Sequence, residues 1–209
     1  SNGSRSLPAA LLVRDAVFNQ AVLEAAMTGE IRLEIPGSRG VRRRVPELEK
    51  SLDFVGINYY TRWKVRMFAP EAHVARRGSA RNDLGWEVYP RGFGQAVARA
   101  ARLGLPVLVT EHGFADATDA FRPRALVESL VHLADAIRHG ANVIGYYHWS
   151  LLDNFEWSGG YLGRFGLYRV DFEDPTLPWH RTKSADLYAR IAGANAIEQE
   201  VASEVGLAL

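Results

Sequence analysis

The sequence lacks cysteine entirely among its 209 residues. Disulfide bonds, thiolate metal ligands and cysteine nucleophiles are therefore excluded within it. No apolar stretch is long enough for a membrane-spanning helix, and charge is almost balanced, with 25 Lys and Arg against 24 Asp and Glu. Nucleic acid and anionic membranes are therefore not expected as partners. Because a chain without disulfides suits the cytosol, we expect a cytoplasmic protein.

The composition is that of a globular domain, with 47% hydrophobic and 23% charged residues. We find no internal repeat, low-complexity tract or linker, so a single domain over residues 1–209 is expected. The basic cluster Arg42-Arg43-Arg44 is interpreted as a solvated loop rather than a binding patch.

Three short apolar runs have the character of buried parallel strands, and helical segments alternate with them. The predicted strands are residues 54–57, 106–110 and 143–149, and the predicted helices are residues 11–27, 95–103, 122–139 and 184–191. In the helix that Pro123 opens, Leu126, Leu130, Leu133 and Ile137 form the predicted inner face. Residues 165–172 are either one arm of a hairpin or an extended return, and residues 192–209 are weakly helical with no assigned role.

This alternation predicts an α/β fold with a parallel sheet and right-handed crossovers. It fits either half of a doubly wound domain or part of a (β/α)8 barrel. Polar side chains follow the predicted strands at their carboxyl ends, where barrel enzymes hold their active sites. A doubly wound nucleotide-binding domain would show a glycine-rich phosphate loop after its first strand, and the sequence has none. The pattern therefore favours the barrel.

Glu111 follows the apolar run Pro106 to Thr110 and precedes a glycine by two positions. A carboxylate at the end of a buried strand can attack the anomeric carbon of a sugar and form a covalent glycosyl-enzyme. The alternative is a glutamate that is merely solvated or salt-bridged.

Side chains that suit a carboxylate nucleophile and a sugar lie after the other strands. Tyr60 can donate a hydrogen bond to such a carboxylate, and Asn58 offers an amide beside it; as alternatives they are a packing residue and a turn former. In the loop after the third strand, Trp149 and Trp157 accompany Glu156. Aromatic faces and a carboxylate bind sugars together, although core packing is the alternative for Trp149.

Five segments in this order resemble glycoside hydrolase family 1. They are SLDFVGINYYT (51–61), GWEVYP (85–90), PVLVTEHG (106–113), GYYHWSLLDNFEW (145–157) and GYLGRFGLY (160–168). The resemblance covers most of residues 17–193 and leaves 194–209 as a tail. It implies strands six to eight of a (β/α)8 TIM barrel, incomplete on their own. It also implies hydrolysis of β-D-glucosides or related β-glycosides with retention of configuration, and no cofactor or metal.

The resemblance also implies a role for each matched position, in catalysis or in holding the sugar. Glu111 falls on the nucleophile and Tyr60 on its hydrogen-bonding tyrosine. The implied substrate contacts are Asn58, Trp149 under the sugar ring, Glu156 gripping two sugar hydroxyls, Trp157, and Phe165 as an aromatic wall.

The sequence departs from the family at two points. His112 stands where the family usually has asparagine, and the Asn-Glu-Pro motif that carries the general acid/base is absent. Retaining hydrolysis needs a second carboxyl group roughly 5–5.5 Å from the nucleophile, and three strands cannot close a barrel of eight. We therefore expect a complementary N-terminal half-barrel, from a second polypeptide or a longer parent protein. The alternative is an inactive fragment that is catalytically silent and only binds sugar or folds.

Overall fold

A computed structural model describes residues 16–34, 39–62 and 75–209. The chain divides into two compact units, residues 1–53 with 63–74 and residues 54–62 with 75–209. Within the described ranges, no helix has the length and apolar character needed to cross a membrane.

The first unit contains a helix and a two-stranded antiparallel sheet. A π-helical turn, Ala16–Gln20, leads into helix α1, Ala21–Thr28, which ends at Gly29 in the left-handed conformation with φ of 70°. The start of the predicted helix, residues 11–15, lies outside the described residues. Strand β1, Glu30–Leu33, pairs with β2, Val41–Arg44, so the expected arginine loop is wrong: Arg42 to Arg44 form an exposed strand. A 3-10 turn, Pro46–Leu48, follows.

The second unit is built on a parallel sheet of strands β3, β4 and β5, in that order. The strands are Val55–Tyr59, Val107–His112 and Val143–His148. Four helices belong to this unit: α2 Pro90–Ala101, α3 Arg122–Arg138, α4 Lys183–Ala194 and α5 Gln199–Glu204. Strands β6, Tyr168–Val170, and β7, Trp179–Arg181, form an antiparallel hairpin. The hairpin alternative for residues 165–172 is therefore confirmed.

One face of the sheet, called here the outer face, is buried. Val107 and Val109 of β4 are fully buried, as are Phe93 of α2 and Leu126 of α3. The helical spacing of apolar residues creates this layer, with one correction: Ile137 was expected on the inner side of α3 but is 46% exposed. Ile137 lies in the last turn of α3, which ends at Arg138.

The opposite face, called here the inner face, is open. Gly56, Asn58 and Thr110 are exposed, and so are two large apolar side chains, Ile144 at 56% and Tyr147 at 61%. Within the described ranges, the inner face therefore presents apolar side chains that no other element covers.

Two of the three strands, β3 and β4, run further at their carboxyl ends than the sequence predicted, to Tyr59 and His112. Asn58 and Glu111 were expected just past their strands, yet both lie inside β3 and β4 and pair with each other across the sheet. Backbone hydrogen bonding between neighbouring strands continues beyond the apolar runs, because polar side chains at the rim do not interrupt it. Helix α2 likewise begins at Pro90, five residues before its predicted start.

The tail is ordered against the rest of the unit. Helix α5 buries Val201 and Ala202, and the Arg124 guanidinium of α3 donates to the carbonyls of Val205 and Gly206, each at 3.1 Å. These bonds satisfy carbonyl groups at the helix end.

Candidate active site

The ends of β3 and β4 bring a phenol and a carboxylate together. The Tyr60 hydroxyl donates to Glu111 Oε2 at 2.6 Å, although the two residues are 51 positions apart in sequence. Burial, followed by the hydrogen bond to Glu111 and its negative charge, raises the pKa of the Tyr60 phenol well above its usual value. The phenol therefore stays protonated at neutral pH and acts as a donor to the carboxylate.

Asn58 lies next to this pair and is oriented by a neighbouring threonine. The Thr110 hydroxyl lies 2.5 Å from Asn58 Oδ1 and 3.1 Å from the Ile57 carbonyl. Since the amide oxygen of Asn58 accepts from Thr110, its NH2 group is left to donate toward the open face.

Trp149 and Glu156 meet in the loop after β5. The Trp149 indole donates from Nε1 to Glu156 Oε1 at 3.0 Å, and the peptide bond from Trp149 to Ser150 is cis. Burial raises the pKa of Glu156, the Trp149 bond opposes that shift, and the charge of Glu111 adds to it. The Glu111 carboxylate is therefore close enough for its charge to act on Glu156.

Aromatic rings enclose Tyr60 on two sides. Phe165, 2% exposed, approaches it edge-on with ring centroids 5.7 Å apart, and Trp86 does so at 6.1 Å. Trp86 lies in a segment that carried part of the family resemblance, but sequence reasoning gave it no place at the site. Its position follows from the pairing of residues 80–88, which no periodicity in the sequence reveals.

Of the predicted sugar contacts, Trp157 alone is not packed against the other candidate site residues. It is 85% exposed, and within the described part of the chain its indole makes no hydrogen bond or ring pair with the residues above.

Asp153 stabilises the loop that carries Glu156 through hydrogen bonds and an ion pair. Asp153 is buried; Oδ1 accepts from the Gly166 amide at 2.8 Å, and Oδ2 accepts from the Val170 amide at 3.2 Å and from Arg164 at 3.3 Å. Because these partners flank Phe165, Asp153 fixes both the loop and the aromatic wall.

The segment after β3 is fastened by an ion pair. Arg62 makes two bonds to the buried Glu87 carboxylate, at 2.9 and 2.7 Å, and lies 3.7 Å over the Tyr89 ring. The Thr61 hydroxyl also donates to the Glu87 carbonyl, at 2.8 Å. These contacts hold the chain immediately after Tyr60.

His112, one departure from the family pattern, is fully buried on the outer face. Its Nδ1 lies 2.8 Å from the Tyr146 hydroxyl and its ring stacks on Phe93 at 4.2 Å. Burial, with a smaller effect of His148, holds the pKa of His112 well below its usual range, so the ring is neutral at physiological pH. His112 thus points away from the Glu111 carboxylate, into the helix layer.

Among the residues that the structure describes, no group of three or more His, Cys, Asp or Glu side chains is arranged to hold a metal ion.

Comparison with known proteins places this geometry in context. The model of Glycosyl hydrolase family 1 matches residues 41–197. The chain is 32% identical to a beta-galactosidase of Pyrococcus woesei, over 98% of this chain and 43% of that protein. It is 37% identical to a beta-galactosidase of Saccharolobus solfataricus, over 85% of this chain and 38% of that protein.

Solved structures give the same result at the level of fold. The structure of a beta-glycosidase from Pyrococcus horikoshii superposes with a TM-score of 0.83 at 34% identity. It covers the whole of this chain, which in turn covers 48% of that protein. The chain therefore spans less than half the length of these relatives, and its fold is α/β, matching part of their barrel.

Proposed function

The chain belongs to glycosyl hydrolase family 1, and we propose that it is the nucleophile-bearing C-terminal part of a retaining β-glycosidase. In this proposal β3, β4 and β5 are strands six, seven and eight of a TIM barrel, and both compact units belong to one barrel domain. The observation that carries the proposal is the 2.6 Å hydrogen bond from Tyr60 to Glu111 at the carboxyl end of the sheet.

Glu111 would attack the anomeric carbon and form a covalent glycosyl-enzyme, as the leaving oxygen takes a proton from the acid/base. Tyr60 supports this role because its hydroxyl holds one carboxylate oxygen in place and leaves the other free. Water then hydrolyses the intermediate, and the same acid/base removes the proton from that water.

The sugar would lie between the open face and the loop after β5. Trp149 provides an apolar ring, Glu156 accepts from sugar hydroxyls, and Asn58 donates from its NH2 group. Phe165 closes the wall beside Tyr60. Trp157, exposed in this structure, is proposed as a second sugar contact on the family match alone.

The acid/base must come from polypeptide outside these 209 residues, since the sequence has no Asn-Glu-Pro motif. A complementary N-terminal half-barrel is the proposed source, as a partner chain or as the rest of a longer protein. The exposed Ile144 and Tyr147 support this, because a barrel interior would bury them. The cytosol is the proposed location on the ground that the sequence has no cysteine.

The assignment of the nucleophile is tested by trapping. A 2-deoxy-2-fluoro glycoside added to the completed barrel should label Glu111, and peptide mass spectrometry locates the label. Glu111→Gln should lower kcat by about four orders of magnitude or more, because the nucleophile acts as one unit with the acid/base. Glu173→Gln, at an exposed position, is the matched control and should leave kcat unchanged. Labelling of Glu156 with Glu111 unmodified contradicts the assignment.

The need for the second half is tested on the chain alone. Incubated with a nitrophenyl β-glucoside, the isolated chain should show no enzymatic turnover. Turnover by the isolated chain, abolished by Glu111→Gln, would show that the 209 residues suffice for hydrolysis and would contradict the need for a second half. An absence of turnover even with the completed barrel would favour the inactive fragment instead.

The completed barrel should hydrolyse glycosides of unphosphorylated sugars in preference to their 6-phosphates. Glu156, by family resemblance, holds hydroxyls that include the sixth, where a phosphate would face its carboxylate. Two unit charges 4 Å apart repel by roughly 4 kcal/mol at an effective dielectric near 20, and about 1.4 kcal/mol suffices for a tenfold preference. Arg164, eight residues after Glu156 in sequence, is already engaged with Asp153, the Val170 carbonyl and the Phe172 ring. Comparing kcat/KM for a nitrophenyl β-glucoside and its 6-phosphate decides this, and equal values would contradict it.

A further inference from the structure

Strand β4 contains one residue more than either neighbour at the position of Glu111. Against β3, Val109 pairs with Ile57 and Glu111 with Asn58, so Thr110 has no partner of its own. Against β5, Val109 pairs with Tyr146 and His112 with His148, so two residues of β4 face the single Tyr147. The strand therefore bulges on both sides at Thr110–Glu111.

This bulge decides which face Glu111 occupies. Side chains of a regular strand alternate between faces, so Glu111 would share the buried face of Val107 and Val109. In the structure those valines are fully buried, yet the residue that joins them on the helix-covered face is His112, stacked on Phe93. One extra residue reverses the alternation and turns Glu111 toward Tyr60.

Two side chains anchor the bulge from opposite faces. On the inner face Thr110 directs its hydroxyl to Asn58 Oδ1 and the Ile57 carbonyl, and its methyl group lies where Gly56 leaves room. A Cβ at Gly56 would approach Thr110 Cγ2 to 3.4 Å. On the outer face His112 is fixed by Tyr146, and its carbonyl accepts from the Trp149 amide at 3.0 Å.

We propose that Thr110 is a positioning residue for the nucleophile: its hydroxyl pins the bulge that aims Glu111 and fixes the Asn58 amide as a donor. This inference rests on the proposed function, because it gives Thr110 importance only through Glu111 and Asn58. Valine is nearly the same shape as threonine and lacks the hydroxyl, whereas serine keeps it.

The first test uses the completed barrel. Thr110→Val should lower kcat by about 100-fold, the effect expected of a nucleophile displaced by about 1 Å, with little change in KM. Thr110→Ser should restore most of the rate. Thr176→Val removes a surface hydroxyl bonded to Asp174 and should change nothing. A Thr110→Val enzyme with wild-type kcat, or a Thr110→Ser enzyme as slow as Thr110→Val, overturns the proposal.

The second test separates this inference from the proposed function, because it needs no activity. Three-bond NMR couplings in the isolated chain report the χ1 angles of Asn58 and Glu111. Both residues should hold a single rotamer in the wild type and in Thr110→Ser, and average between rotamers in Thr110→Val, with the thermal midpoint unchanged within about 2 °C. Single rotamers in all three proteins would refute the positioning role. If the wild-type completed barrel is inactive, the proposed function fails, and these couplings still decide the role of Thr110.

Discussion

The two faces of the parallel sheet differ in how far their side chains are buried, although the same three strands form both. The outer face is covered by helices and buries Val107, Val109 and the ring of His112 completely. The inner face exposes Thr110, Ile144 and Tyr147. One face is therefore a packed core, and the other presents exposed apolar side chains among the residues that the structure describes.

The comparison indicates that the residues that stabilise the fold lie mainly on the outer face, whereas the candidate site residues lie on the inner face and at its rim. Burial on the outer face stabilises the second unit, because apolar area removed from water dominates folding free energy. The inner face and its rim carry the carboxylates of Glu111 and Glu156 and the hydroxyl of Tyr60, which are the groups that the proposed mechanism uses. The following predictions test this separation, from the largest expected effect to the smallest.

Truncation on the outer face should be the most damaging change. Phe93 is fully buried and contacts His112, Tyr59 and Tyr146. Phe93→Ala should lower the free energy of unfolding by about 3–5 kcal/mol, through lost burial and the cavity left behind. Urea denaturation of the chain measures it. Phe155→Ala, at a 60% exposed position, is the control, and an equal loss there would contradict the separation.

The outer face should also make stability depend on pH. Burial lowers the pKa of His148 to about 3 and that of His112 well below its usual value, with Arg122 adding to the first shift and His148 to the second. Between about pH 6.5 and the folded pKa, the unfolded chain binds protons that the folded chain does not. Stability should therefore be lost as pH falls below about 6.5, by about 1.4 kcal/mol per pH unit for each histidine.

Urea denaturation between pH 7 and pH 5 measures that slope. His112→Asn should remove the contribution of one histidine, and His180→Asn, at an exposed position, should leave the slope unchanged. A stability profile that stays flat to pH 5 would show that the unfolded chain gains no protons over the folded one.

The ion pair at the rim should contribute a moderate amount. Arg62→Met removes the guanidinium that pairs with the buried Glu87 carboxylate and should cost about 1–3 kcal/mol. Arg181→Met breaks the exposed pair with Asp186, 2.6 Å apart, and should cost under about 0.5 kcal/mol. Comparing the two variants by thermal unfolding checks this, and equal costs would mean that the Glu87 site admits water.

The inner face should tolerate substitution in the isolated chain. Tyr147→Ser and Ile144→Thr should change the free energy of unfolding by no more than about 0.5 kcal/mol, as at other exposed positions. In the completed barrel the same changes should become destabilising, because their side chains would then be buried. A large loss already in the isolated chain would show that something within the chain covers this face.

Much of the second unit could be predicted from the sequence, because its signals are local. The apolar runs before Asn58, Glu111 and Trp149 predicted three strands, and the structure contains all three, in parallel. Pro123 correctly predicted the start of α3. The arginine-rich strand β2 was missed, since its polar sequence has no apolar alternation and its pairing with β1 is the only sign of it.

The sequence by itself determined which chemical groups exist, which segments form strands and helices, and to which family the chain is similar. Only the tertiary structure decided how those groups meet. Tyr60 reaches Glu111 across 51 positions, and the bulge at Thr110 overrides the alternation that would bury the carboxylate among valines. The physical reason is that periodicity is a property of one strand, whereas register is set between strands by backbone hydrogen bonds.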